Sequence, residues 1–241
     1  MTPALLPLLA AASLCRAADP AALKAADALY LERHEDASLK KSTDKLEALL
    51  KAEPESYDLL WRAGRNKVAA GARKDSKGAK LQAFAEAAQA LREAIKVNDS
   101  GKEGHYWLAA ELGQENAIRR TLGLAKQMKR ELETALKIDP RYADAHQLYC
   151  ELLRQLPGMF GGDKKKAVDE CEQALRLTPD ETSRYPALAE AYLAVKRQDD
   201  AVAALKKVFA VKTPADPGSA PGDLQAAREL LRKLTGSPQP K

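Results

Sequence analysis

Residues 128–140 read Met-Lys-Arg-Glu-Leu-Glu-Thr-Ala-Leu-Lys-Ile-Asp-Pro, and residues 167–179 read Ala-Val-Asp-Glu-Cys-Glu-Gln-Ala-Leu-Arg-Leu-Thr-Pro. Laid over one another, Ala135 falls on Ala174, Leu136 on Leu175 and Pro140 on Pro179. The apolar residues of each recur three and four apart, the spacing that puts them on one face of an α-helix. The closing proline lacks an N–H and disfavours helix in the residue before it, so each helix stops there. Weaker copies occupy residues 42–54, ending at Pro54, and 87–99, where Asp99 replaces the proline.

A second amphipathic segment precedes each of the three later copies, at residues 57–70, 103–119 and 142–156, and another follows the last copy at residues 184–196. The chain therefore reads as a series of helical hairpins. Counted from each stop, Leu60, His105, His146 and Tyr185 share one repeat position. The stops lie 45, 41 and 39 residues apart, and the last interval is about 34. The early intervals predict long turns, which cost little closure entropy.

Composition agrees with an all-helical chain. Hydrophobic residues make up 45% of the 241, carried largely by Ala and Leu, while aromatics are only 5%. Ala and Leu lose little entropy in a helix, and the scarcity of Val, Ile and Thr runs argues against sheet. The net charge is +5. Its Lys and Arg alternate with Asp and Glu, as in Lys129-Arg130-Glu131, the pattern of a solvated helix face. The only dense basic run is Lys164-Lys165-Lys166, so nucleic acid is not an expected partner.

Residues 182–213 are the most regular unit, with Tyr185, Leu188, Ala189, Tyr192, Ala201, Leu205 and Val208 at its key positions. This pattern resembles the tetratricopeptide repeat, whose signature joins a large residue, a small one, an aromatic and a closing proline. The resemblance covers roughly residues 37–213 and implies an all-α solenoid of hairpins wound into a right-handed superhelix. Ala189 and Ala201 would form the small pair where two helices touch closely.

A narrower likeness rests on Gly104-His105-Tyr106-Trp107-Leu108-Ala109, then Leu136-Lys137-Ile138-Asp139-Pro140, then residues 156–164, Leu-Pro-Gly-Met-Phe-Gly-Gly-Asp-Lys. This order resembles the T-component family associated with TRAP-type periplasmic transporters. That resemblance implies an extracytoplasmic accessory of solute uptake. Such a protein would dock a solute-binding protein or hold an apolar ligand in a tunnel lined by Tyr106, Trp107 and Tyr149.

The apolar stretch 4–14 suits the core of a secretory signal, with cleavage after Ala17. Cys15 follows Leu14, a large residue where lipid attachment wants a small one, so no lipid anchor is expected. No segment is long and apolar enough to span a bilayer. The expected organisation is a signal peptide at 1–17, a helical-repeat domain at 19–212, a linker at 213–222, a capping helix at 223–235 with Asp223 as its cap, and a disordered tail at 236–241. The expected location is periplasmic or otherwise extracytoplasmic.

Little in the chain points to chemistry. The 158–164 turn has glycines and a lysine, but Asp163 interrupts the phosphate-loop pattern and Lys165 replaces its hydroxyl. It reads as a turn with Asp163 capping the next helix, and Met159 and Phe160 are expected to fold onto the hairpins. His34, His105 and His146 do not make a zinc cluster. His105 and His146 sit at a packing position. Cys150 and Cys171 lie on the two helices of one hairpin, either as packed thiols, the default, or as a disulfide. No catalytic, cofactor or metal site is assigned.

What remains is a binding surface. The first helix of each hairpin lines the concave side of such a stack. The register places Asp58, Trp61 and Arg65 there, then Glu103, Tyr106 and Ala110, then Asp144, Gln147 and Glu151, and finally Ser183 and Glu190. Asp58, Glu103, Asp144 and Glu190 would form an acidic column with Trp61 and Tyr106 as anchors, suited to a basic or amphipathic protein or peptide segment.

Overall fold

In the computed structural model, which describes residues 18–236, eleven α-helices and one 3-10 turn follow one another, and no strand occurs among the described residues. The expected leader lies outside the described residues, as does the tail beyond Gly236. The helices are α1 (Pro20–Leu31), α2 (Asp36–Ala52), α3 (Tyr57–Ala72), α4 (Lys77–Val97), α5 (Lys102–Arg119), α6 (Leu122–Ile138), α7 (Ala143–Gln155), α8 (Lys164–Leu177), α9 (Arg184–Ala194), α10 (Gln198–Val208) and α11 (Ala220–Thr235). Each odd-numbered helix up to α9 packs on its successor, and the resulting hairpins stack in chain order, with α11 closing the far end on α9 and α10.

The stops behave as the sequence predicts. Helix α6 ends before Asp139-Pro140 and α8 before Thr178-Pro179. The shared repeat position has a physical role. Six residues after the last three stops, a ring reaches back to the stop's own carbonyl: His105 Nε2 to Asp99 O at 3.0 Å, His146 Nε2 to Pro140 O at 2.9 Å and Tyr185 Oη to Pro179 O at 2.8 Å. Each ring thereby satisfies a carbonyl that the turn would otherwise leave open.

The long early intervals do not become long turns. They become long helices: α4 has 21 residues and α5 has 18, whereas α9 and α10 have 11 each. Only Arg120 and Thr121 separate α5 from α6. Alanine-rich sequence extends a helix at little cost, and each added turn gains backbone bonds that a loop lacks.

The long turn within a hairpin is the one between α7 and α8. Asp163 caps α8 there, accepting from the backbone N–H of Lys165 and Lys166 at 3.0 Å. Gly161 adopts φ +91°, and a Cβ on Gly162 would lie 1.9 Å from the Leu156 carbonyl oxygen. Pro157 O accepts from the N–H of both Phe160 and Gly162, which winds the turn tightly. The winding turns Met159 and Phe160 outward, at 84% and 43% exposure, contrary to the expectation that they pack.

Cys150 and Cys171 form a disulfide, with Cα atoms 5.4 Å apart, so the default of two packed thiols is replaced. The register supplies the reason. Counted from the stops, they occupy the positions that Gly64 and Leu91 hold two pairs of helices earlier, in α3 and α4. There the backbones come so close that a Cβ on Gly64 would lie 2.5 Å from Leu91 Cγ. The same approach, with sulfur on both sides, falls in the bridging range. Ala189 and Ala201, the expected small pair, are both fully buried.

Helix α11 begins at Ala220, inside the expected linker, with Pro221 in its first turn where its missing N–H costs nothing. Asp223 is consequently not a cap. Its carboxylate accepts from Thr182 Oγ1 at 2.7 Å and Ser219 Oγ at 3.2 Å, tying α11 to the turn before α9.

A candidate binding cleft

The concave side holds a cleft of about 1050 Å³. Its walls come from the end of α1 (Tyr30, Leu31), from α5 (Tyr106, Trp107, Ala110, Gln114), from α7 (Asp144, Gln147, Leu148, Glu151) and from Arg184 at the start of α9. Phe160 lies on its rim, and Ala215, Asp216 and Ser219 cross its mouth.

The repeat geometry brings Tyr106, Asp144, Gln147 and Glu151 together, along with Ala110 and Ser183. It does not bring Asp58, Trp61, Arg65, Glu103 or Glu190 there. The first hairpin is responsible for three of these. Helix α1 lies against α3, and its Asp27 reaches Arg62 at 3.0 Å and Arg65 at 2.9 Å. Arg65 stacks 3.7 Å over the Tyr30 ring, Trp61 is only 9% exposed beneath Arg62, and Asp58 pairs with Arg62 at 2.8 Å. The would-be groove of α3 is therefore covered by the chain's own start.

The acidic column does not form either. Besides Asp58, Asp144 pairs with Arg184 at 2.7 Å, Glu190 with Arg154 at 2.7 Å, and Glu103 accepts from Tyr57 Oη at 3.1 Å. Arg184 is 4% exposed and also donates to Gln147 Oε1 at 3.0 Å and to Thr178. A buried guanidinium with this many acceptors is a structural tie. The cleft carboxylates without an ion pair at salt-bridge distance are Glu151, which accepts from Gln147 Nε2 at 3.3 Å, and Glu181, which accepts from Ser183 Oγ at 3.1 Å. Burial pushes both carboxyls above the usual carboxylate range.

The floor is aromatic. Trp107 meets Tyr30 edge-on at 6.2 Å and Tyr106 at 5.0 Å, and Tyr106 in turn meets Tyr142 at 5.1 Å. Burial raises the Tyr106 phenol well above its ordinary value, so it stays neutral. Tyr149 is not part of this floor. It is buried in the α7–α8 hairpin, donating to Glu133 Oε1 at 2.7 Å and accepting from Lys166.

Sequence reasoning missed the strap. Arg33 Nη2 meets Asp216 Oδ2 at 2.6 Å, joining residues 183 apart. A Cβ on Gly218 would lie 2.7 Å from His34 Nδ1, so the strap sits directly on the turn after α1. Asp216 Oδ1 accepts from Gly218 and Ser219 N–H at 3.1 and 3.3 Å, a turn that the Asp-Pro-Gly-Ser sequence signals. Nothing local signals that its partner is Arg33.

Among the described residues, no group of three or more His, Cys, Asp or Glu side chains could hold a metal ion. No helix among them is long and apolar enough to cross a membrane.

Several solved structures share the fold. TTC0263, a thermophilic TPR protein of Thermus thermophilus, superposes with a TM-score of 0.65 at 21% identity, over 86% of this chain and 97% of its own. MamA from Desulfovibrio magneticus RS-1 gives 0.51 at 15% identity, over 79% of this chain and 95% of its own. YrrB, described as a TPR protein with an unusual peptide-binding site, gives 0.50 at 14% identity, over 87% of this chain and 89% of its own. At these identities the likeness shows a TPR-like helical solenoid and no more. No curated protein matches the chain. The family model for "Regulator of microtubule dynamics protein 1-3" matches residues 22–154, from α1 through α7, and the narrower likeness to the T-component family gains no support from it. Because that match spans more than half of an all-helical hairpin stack, the chain belongs to the family described as regulator of microtubule dynamics protein 1-3, a TPR-like family.

Proposed function

We propose that this protein is a binding scaffold, not an enzyme, and that it holds a segment of a protein or peptide partner in the cleft between α1, α5, α7 and α9. The observation that carries the reading is the cleft itself. It has an aromatic floor of Tyr30, Tyr106 and Trp107, an aliphatic wall at Leu148, and two carboxylates, Glu151 and Glu181, without an ion pair at salt-bridge distance. A concave apolar surface with a few placed polar groups is the usual form of a binding site. This one suits an amphipathic segment that carries a basic residue. An extracytoplasmic location is supported by the Cys150–Cys171 bridge, since buried disulfides persist in oxidising compartments, and by the signal-like sequence of residues 1–17.

The aromatic floor also favours a second reading, an accessory of solute uptake that docks a solute-binding protein or holds an apolar ligand. Two of the three aromatics expected for that role, Tyr106 and Trp107, line the cleft.

Affinity capture from the native envelope, with wild type and Ala110→Trp side by side, tests the proposal. Ala110 lines the cleft, and an indole there fills it. A partner lost with Ala110→Trp, while circular dichroism is unchanged, supports cleft binding. Equal capture by both proteins rules it out. A solute-binding protein among the cleft-dependent species favours the second reading.

A further inference from the structure

His105 and His146 occupy equivalent places at the starts of α5 and α7, the two helices that supply the largest shares of the cleft wall. Their surroundings repeat. His105 Nδ1 lies 2.7 Å from Glu131 Oε2 of α6, and its Nε2 lies 3.0 Å from the carbonyl of Asp99. His146 Nδ1 lies 2.5 Å from Glu170 Oε2 of α8, and its Nε2 lies 2.9 Å from the carbonyl of Pro140. A peptide carbonyl and a carboxylate can only accept. A neutral imidazole has one N–H, so it can serve only one of these two partners. Both contacts form only when ring and carboxyl together hold one proton more than a neutral ring beside a carboxylate.

We propose that His105 and His146 are paired proton locks: each protonated ring fastens the first helix of its hairpin both to the preceding turn and to the second helix, and loss of the proton releases that seam. The lock acts on the helices themselves and stands whether or not the cleft is occupied. The charged groups around each ring agree with it. His105 is faced by Glu131 from α6 and by Asp99 from the turn, and the Glu131 bond leads in raising its pKa. Around His146, burial opposes the charge, but the bond to Glu170, the Pro140 carbonyl and the nearby Asp139 outweigh it and raise the pKa. Lys166 stands 3.9 Å from Glu170 and Lys102 is 2.6 Å from Asp139, so both outer acids also hold a second cation.

The direction of the effect is fixed by linkage. A histidine whose pKa is higher in the folded chain stabilises fully below its unfolded value, about 6.5, and that stabilisation is lost as pH rises through the folded value. Within that window each ring lowers the folding constant by up to about tenfold per pH unit, so the two together lower it by up to about a hundredfold. Glu111, whose pKa is pushed up to about 7, titrates in the same range, so the comparison is made in a Glu111→Leu background.

The repeat itself supplies the control. Tyr185 fills the same position and donates to the Pro179 carbonyl without a titrating ring, so His105→Tyr with His146→Tyr keeps the backbone tie and removes the proton. Thermal melts of both proteins from about pH 5 to pH 9 give the slope. The expected result is a steep fall in melting temperature for the histidine protein above about pH 6.5 and a flatter curve for the tyrosine protein. Equal slopes overturn the proposal. Long-range ¹⁵N NMR of the imidazoles in the full chain decides independently, even if the double variant does not fold. Both rings should stay protonated at a pH where the urea-unfolded chain has lost half its imidazole protons. Neutral rings there overturn the lock.

Discussion

Glu111 is fully buried in α5, and neither carboxylate oxygen has a hydrogen-bond partner. Counted from its stop, it occupies the place that Leu152 fills in α7 and Ala191 fills in α9, so Glu111→Leu installs a residue the repeat already accepts. Burial first, and then the neighbouring Glu115, push the carboxyl pKa from 4.5 to about 7, against the pull of Arg92. Taken whole, such a shift corresponds to about 3 kcal/mol lost on ionisation. The neighbouring Glu115 is partly exposed, and solvent screening of its charge reduces the figure to about 2 kcal/mol. The sign follows from the raised value. The penalty is absent below the unfolded pKa, grows as pH rises toward 7 and is complete above it. Glu111→Leu should therefore raise the melting temperature by roughly 4–8 °C at about pH 8 and by much less near pH 4.5. Calorimetry of both proteins at the two pH values measures this. A variant that melts lower than wild type at pH 8, or gains equally at both, refutes the assignment of Glu111 as a buried unpaired acid.

Other outcomes follow from single contacts. Reducing the Cys150–Cys171 bridge, which spans 21 residues, should cost about 3 kcal/mol of stability in unfolding experiments, and Cys150→Ala with Cys171→Leu should recover part of it, because the register pairs a small residue with Leu elsewhere. Gly162→Ala drives a methyl into the Leu156 carbonyl and should destabilise by about 2 kcal/mol or more, seen as a lower midpoint in urea and faster amide exchange around Asp163. Asp216→Ala removes the clasp on Arg33 and should increase hydrogen exchange at residues 215–219 while leaving α5 and α7 protected; unchanged exchange would show that the strap holds by other means.

The hairpins were legible because their signals are local. A proline or Asp99 follows each of α2, α4, α6 and α8, and after the last three of these the residue six positions on from the stop ties back to it, so the count from stop to stop carries real geometry. The half of the cleft made by α5 and α7 was legible for the same reason: Tyr106, Gln147 and Glu151 follow from register alone. What failed was non-local. The cover of α1 over Trp61 and Arg65, the clasp between Arg33 and Asp216, and the pairing of Asp144 with Arg184 join residues whose separation no periodicity reports. Charge was misread in consequence, because an acid counted from sequence carries no mark of the cation that neutralises it. The disulfide was left open because helix spacing varies, although Gly64 against Leu91 marks the same seam as one of close approach.

The chain's two tryptophans allow the central claim to be tested directly, since Trp107 lines the cleft and Trp61 lies beneath Arg62 outside it. With Trp61→Phe, titration of a captured partner's peptide should shift or quench the remaining fluorescence; with Trp107→Phe, the same peptide should bind and leave the Trp61 emission unchanged. A response carried by Trp61 and absent from Trp107 would place the partner elsewhere on the stack and contradict the account.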